Sequence, residues 1–331
     1  MNTKKLLAVT LVAVLFYAAI ALWGDVQKLR ELLSDFRWWT FGAALALAFT
    51  NYLLRFLKWQ YYLARLDVKN VPVTESFAIF LSGFVMSITP AKAGEVFKSA
   101  LLASARGVPV ARSAPIVVAD RLTDLVSLIL IVAVGGLYFP GGWKYAAAAG
   151  VLVAGLMAFV LSRPLGEAVI RLGERHHVGR RLAPKLREAY DALQHLAGPS
   201  ALVIPTLLSL VAWGCECMGL WLILRGLGHP VGVGVACFVY ATSTVAGAVM
   251  MLPGGVGGTE GMMMVLLRDL ALGAGGMTAA RAGTLLVRLA TLWFAVLVGA
   301  VALLVFRRRY DRGMATHDGS ALPAAPVAPA A

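Results

Sequence analysis

Leu252-Pro253-Gly254-Gly255-Val256-Gly257-Gly258-Thr259-Glu260-Gly261 lies between two strongly apolar runs, where a membrane helix would be expected to continue. Proline removes a backbone donor and the glycines loosen φ, so no undisturbed helix runs through it. An acid, Glu260, follows at once. Irregular backbone is tolerated in hydrocarbon only where protein buries it or where it lines a cavity, and an ionisable group there points to function. A polar surface loop between two helices is the alternative. A second copy upstream, Thr89-Pro90-Ala91-Lys92-Ala93-Gly94-Glu95, favours a pair of helix breaks.

The surrounding chain supports a membrane setting. Of 331 residues, 60% are hydrophobic and 14% charged, whereas soluble domains carry about 25% charge. Several apolar runs approach or exceed the roughly 18 residues that signal a spanning helix. The expected fold is an all-α polytopic membrane protein with no room for a large soluble domain. The net charge of +13 sits in short loops between apolar runs. That distribution argues for topology and an anionic inner leaflet as partner, not nucleic acid. Cys215, Cys217 and Cys237 all fall in apolar stretches and read as packing residues, not as a disulfide or metal site. No metal or cofactor is expected.

Spans are expected at about 6–23, 40–56, 114–137, 145–161, 201–224 and 281–306. The first could instead be a signal peptide, but its core is longer than the usual apolar region of about 7–15 residues. Leu29, Leu32, Leu33 and Phe36 form one apolar stripe before Trp38 and Trp39, as in a short helix on the membrane surface. Arg55, Lys58, Arg65 and Lys69 read as a basic loop. Residues 162–199 carry seven bases against four acids. Part of that loop, with Leu182, Leu186, Ala189 and Leu193 on one face, is expected to rest on the anionic leaflet. His176 and His177 read as solvated loop residues. The Ala- and Pro-rich tail, 311–331, is expected to be disordered.

Charge decides the expected topology. If both breaks were ordinary loops after a single span, the seven-base loop would lie outside, against the positive-inside rule. If each break turns a re-entrant hairpin, at 75–105 and 231–272, both termini and the main basic segments fall in the cytoplasm. The arm Val96 to Ser104 is about 14 Å of helix, too short for a core of about 30 Å. The halves 1–144 and 145–310 then each read span, span, hairpin, span and face opposite ways. This is an inverted-topology repeat of six spans and two hairpins. Such repeats are common in transporters, with the site at the midplane.

The same arrangement nominates the chemistry. The second arms begin near Gly94 and Gly258, where Glu95 and Glu260 sit beside helix N-termini that favour anions. Arg121 follows Glu95 by 26 residues and Arg288 follows Glu260 by 28. Each arginine is about two turns, on the order of 10 Å, inside a span. A buried charge needs a partner, so the glutamates are candidates to pair with these arginines, as structural clips or as part of an anion site. Lys92 and Lys98 are candidates for the inner mouth, with Asp120 and Asp124 in support. Pro90, Gly94, Pro253, Gly254, Gly255, Gly257 and Gly258 make the breaks.

The segments Thr89 to Lys98, Asp120-Arg121-Leu122-Thr123-Asp124, Leu252 to Glu260 and Leu285-Leu286-Val287-Arg288-Leu289 resemble the lysylphosphatidylglycerol synthase transmembrane-domain family. This is the flippase-like half of the bacterial multiple-peptide-resistance proteins. The resemblance extends to about Tyr310. It implies a lipid-translocating fold with two re-entrant hairpins in the bacterial cytoplasmic (inner) membrane. Lys stands at 92 and 98 where the family commonly has Arg, and Asp at 120 where it has Glu. Lysine lacks the bidentate fork for phosphate, which points to a different headgroup. The aminoacyl-tRNA-using synthase domain is absent, so lipid aminoacylation is not implied.

The leading expectation is a lipid flippase or amphiphile transporter acting on membrane lipids. No Gly-rich Lys-Ser/Thr phosphate loop is present, so this chain is not expected to hydrolyse ATP. The runner-up is an accessory subunit presenting an isoprenoid-linked or hopanoid lipid to a biosynthetic partner enzyme. An enzyme on a lipid-linked phosphate would want an acid cluster for a metal or a histidine in a span. Asp120 and Asp124 are one turn apart, but no span holds a histidine.

Overall fold

The computed structural model describes residues 26–69, 71–89, 95–140, 142–174, 199–250 and 252–318, with single positions between 180 and 196. The expected span 6–23, the segment Pro90 to Gly94 and the stripe Leu182, Leu186, Ala189 and Leu193 lie outside the described residues. So do His176 and His177.

Every regular element among the described residues is helical. Helix α1 (Val26–Ser34) leads into α2 (Trp38–Arg65), a rod of 28 residues. Helix α3 (Val73–Ser82) tightens into the 3-10 segment Gly83–Ile88, which ends at the first break. After it come α4 (Phe97–Arg106), α5 (Pro115–Gly136), α6 (Trp143–Leu161) and α7 (Arg163–Gly173). The second part holds α8 (Pro199–Gly226), α9 (Val233–Val249) and α10 (Gly258–Leu267), then α11 (Met277–Arg288) and α12 (Phe294–Asp318). A wider turn, Leu289–Trp293, joins the last two into one rod.

Among the described residues, three stretches are long and apolar enough to cross a membrane: Trp38–Arg65, Leu202–Gly226 and Met277–Arg308. Leu53, Leu57, Leu207, Val211, Leu297, Val301 and Leu304 stand exposed on their outer faces. Large exposed apolar surface is costly in water and suits lipid. Inside, α2 packs most extensively on α8, and α5 packs on α8 and α9. Among the described residues, two large apolar cores result, besides a small one of Ile170, Ala183 and Tyr190. One is built around Tyr52, Trp59, Phe80 and Leu102, the other around Trp213, Leu220, Val239 and Val287.

Three local readings change. Helix α2 does not stop near Phe56 but runs to Arg65, so Arg55 and Lys58 are not loop residues. Both are buried, because their face of α2 meets carboxylates on α5. The stripe of α1 faces protein, with Leu29, Leu32 and Leu33 against the second core and Phe36 buried within it. Helix α12 continues through Arg307 and Arg308 to Asp318, past the start expected for the tail.

Candidate functional site

The glycine-rich break is a tight, left-handed turn. Gly254, Gly255 and Gly257 have φ of 62°, 69° and 93°, a region that costs L-residues with a Cβ roughly 1–2 kcal/mol each. Helix α10 starts at Gly258, and Glu260 reaches back to accept a hydrogen bond from the Gly257 amide at 2.7 Å. Its other oxygen accepts from Arg288 Nε at 2.6 Å, and Arg288 Nη2 donates to the Gly254 carbonyl at 2.7 Å. Glu260 is fully buried. One glutamate and one arginine thus tie both ends of the turn to α11.

The upstream pair is built differently. Arg121 Nη2 donates to Glu95 Oε1, joining α5 to the chain two residues before α4. The Arg121 side chain is 31% exposed, against 9% for Arg288. Glu95 is 4% exposed, and its Oε2 has no hydrogen-bond partner. The two pairs occupy matching sequence positions but not matching environments.

The segment that leads into the first break reaches the glycine-rich turn directly. The segment Gly83–Ile88 touches Pro253–Gly255, and a Cβ on Gly254 would sit 3.5 Å from Ile88 Cα. Beside this contact opens a cavity of about 320 Å³. Its walls include Arg121 and Glu95 from one part of the chain and Arg288, Glu216 and Tyr240 from the other. Asp124, Gly254 and Gly255 line it too.

Below one wall lies a buried ion cluster. Arg55 Nη2 bonds Asp120 at 3.2 Å and Asp124 at 2.9 Å. Lys58 Nζ bonds the same two carboxylates at 2.6 and 2.7 Å, and donates to Ser209 Oγ on α8 at 2.6 Å. Ser209 donates in turn to Asp124 at 2.8 Å. The cluster fastens α2, α5 and α8 together. Opposite, Tyr240 donates a short hydrogen bond to Glu216.

Lys98 turns away from the cavity. Its stem lies over Gly83, where a Cβ would meet it at 2.4 Å, and its ammonium sits 5.3 Å from the Trp59 ring and 5.1 Å from Phe80. Pro90, Lys92 and Gly94 fall outside the described residues. Pro253 and Gly258 flank the turn, while Asp120 lies behind Asp124 among the cations of α2. Among the described residues lining the cavity, the cations Arg55, Arg121 and Arg288 match in number the carboxylates Glu95, Asp124 and Glu216.

Sequence reasoning missed Arg55, Lys58, Ser209, Trp213, Glu216 and Tyr240. A signal existed for the first two. Asn51, Arg55, Lys58 and Tyr62 fall at i, i+4, i+7 and i+11, a polar stripe on an apolar helix. Asp120 and Asp124 at i, i+4 needed partners. Glu216, a lone acid in an apolar run, carried the ordinary signal of an intramembrane charge.

Fold and site together define a membrane protein, all-helical among the described residues, with a charged internal cavity beside a glycine-rich helix break. The chain belongs to the family described as lysylphosphatidylglycerol synthase TM region, whose profile matches residues 6–299. It is 24% identical over 290 residues to a UPF0104 membrane protein of Methanothermobacter thermautotrophicus, covering 80% of this chain and 84% of the relative. A UPF0104 membrane protein of Pyrococcus horikoshii is 23% identical over 341 residues, covering 92% and 96%. One from Methanocaldococcus jannaschii is 22% identical over 258 residues, covering 71% and 76%.

Proposed function

We propose that this protein moves an anionic or lipid-linked headgroup across the cytoplasmic (inner) membrane through its central cavity, as a lipid flippase or amphiphile transporter. The observation that carries the reading is the cavity itself: three arginines line one internal space beside two interrupted helices, inside an apolar shell. Guanidinium groups match phosphate bidentately. Arg121, the more exposed arginine, makes the contact, and Glu95 holds it in place until a headgroup competes for it. Arg288 keeps the glycine-rich turn closed. The two breaks act as re-entrant hairpins of opposite orientation, related by the inverted repeat, with both termini cytoplasmic. Driving energy comes from the lipid gradient or from an ion, not from nucleotide hydrolysis by this chain.

The test is reconstitution of the pure protein in liposomes containing tail-labelled anionic lipid, with reduction of the outer-leaflet label. Protein-dependent loss of the protected inner fraction is expected, slowed about tenfold in Arg121→Lys, where charge stays but the fork is lost. No movement of any lipid, with stable lipid binding, would favour a subunit that presents lipid to a partner enzyme.

A further inference from the structure

Helix α7 carries an apolar stripe that the cavity does not use. Helix α6, before it, has 19 residues, about 28 Å of helix, close to the roughly 30 Å of a hydrocarbon core. Val151 and Leu152 stand exposed on α6, as on a lipid-facing helix. Only Ser162, in extended conformation, separates Leu161 at the end of α6 from Arg163 at the start of α7. Helix α7 therefore begins at the depth where hydrocarbon gives way to headgroups.

Two faces of α7 are apolar. Gly166 and Ile170 pack against Ala183 and Tyr190, and a Cβ on Gly166 would run into the Tyr190 ring. Tyr190 donates to the Ser162 carbonyl at 3.2 Å, and Arg187 pairs with Glu174 at 2.8 Å. The second face lies about 150° further around the helix. It holds Leu165, Ala168 and Leu172, at i, i+3 and i+7. Leu165 is 42% and Leu172 58% exposed, and Ala168 is exposed too. Arg171 stands exposed at the edge between this stripe and the charged side of the helix. The whole segment 162–199 carries seven bases against four acids. A second copy of the chain seated on the stripe would bring two such positive segments together, against Coulomb repulsion. An anionic leaflet meets both the apolar stripe and the charge.

We propose that α7 is a lipid contact separate from the cavity. It lies in the plane of the membrane surface, with Leu165, Ala168 and Leu172 among the acyl chains, Arg171 at anionic headgroups and the Ala183–Tyr190 layer stacked above. The sequence placed a leaflet contact on Leu182, Leu186, Ala189 and Leu193; the α7 stripe is a different surface. No described residue of α7 lines the cavity, so this contact stands or falls apart from the transport reading. It does put anionic lipid near the site, because α6 packs on α5, the helix of Arg121.

The experiment uses the full chain, with its three cysteines replaced, at one copy per nanodisc of phosphatidylcholine with or without phosphatidylglycerol. A nitrobenzoxadiazole label is placed on Ala168→Cys or, as the control above the membrane, on Pro184→Cys. Lipids brominated on their tails quench only a label that reaches the acyl region. Quenching is expected at Ala168 and not at Pro184. In phosphatidylglycerol discs, Arg171→Gln is expected to lower the ratio of docked to free label about fivefold, the worth of one base near an anionic surface. High salt should act in the same direction. Leu165→Asp with Leu172→Asp is expected to bring the Ala168 label to the Pro184 level. If that variant does not elute as a folded species, the comparison of Ala168 with Pro184 decides alone. A water-exposed label at Ala168 in both kinds of disc, or equal quenching at the two positions, overturns the proposal. So does equal docking with and without phosphatidylglycerol. Shielding of Ala168 that appears only when two copies share a disc assigns the stripe to a second copy and overturns it as well.

Discussion

Arg121 and Arg288 look equivalent in sequence, each following a glutamate by a similar interval, and they differ in what else holds them. Arg288 is tied to Glu260 and to the Gly254 carbonyl, with Glu260 also capping α10. Removing one partner of such a buried pair strands the other charge. Glu260→Gln is therefore expected to cost about 3 kcal/mol of stability, read as a lowered unfolding midpoint in detergent. Arg121 is partly open to the cavity and makes one ion pair. Arg121→Gln strands the buried Glu95 carboxylate in the same way and is also expected to cost about 3 kcal/mol, but it alone should weaken anionic lipid binding, at least about tenfold. Equal weakening of lipid binding by the two changes would contradict the asymmetry. Sequence spacing fixed which residues to compare. It could not show this difference, which arises from exposure and from a carbonyl supplied by the turn.

At the scale of elements, the glycine-rich helix break was legible and one rod was not. Pro253 and its glycines announce an interruption because their backbone chemistry is local. The true length of α2 was hidden because hydropathy falls at Arg55 and Lys58, as it would in a loop. What keeps the chain helical there is a partner on another element, the Asp120–Asp124 pair of α5, and Ser209 on α8. Tertiary pairing of this kind leaves only an indirect trace, a stripe of polar positions at helical spacing. The energetic prediction follows from the pairing. Lys58→Met removes a fully buried cation from two carboxylates and is expected to destabilise by about 3–5 kcal/mol. Adding Asp124→Leu should recover part of that loss, since replacing a buried pair by apolar groups is often close to neutral. Thermal unfolding of the single and double variants checks it; no recovery would mean that the cluster does not act as paired charges.

Across the whole molecule, the proposed orientation rests on where the bases lie. In a background with Cys215, Cys217 and Cys237 replaced, single cysteines at Lys144 and Arg180 are expected to react from opposite sides of the membrane. Arg180 should be the cytoplasmic one. Labelling of both by an impermeant reagent in intact cells would overturn the parity on which the two-hairpin reading depends. The described part of the molecule already has the required economy. Apolar side chains stand exposed on α2, α8 and α12, while a set of buried charges gathers around the central cavity.

The balance of those gathered charges has an electrical consequence. Among the described residues lining the cavity, three cations stand against three carboxylates. A site with no net charge of its own does not respond to membrane voltage when empty. Once it holds a monoanionic headgroup, the loaded form carries that charge through the field, worth about 2.3 kcal/mol per elementary charge per 100 mV. Imposing a potassium diffusion potential on the liposomes should therefore bias the lipid toward the positive leaflet, by about fiftyfold at 100 mV for a full charge crossing. A zwitterionic lipid in the same vesicles should distribute without regard to voltage, so the membrane potential would sort lipids between leaflets by the charge of their headgroups.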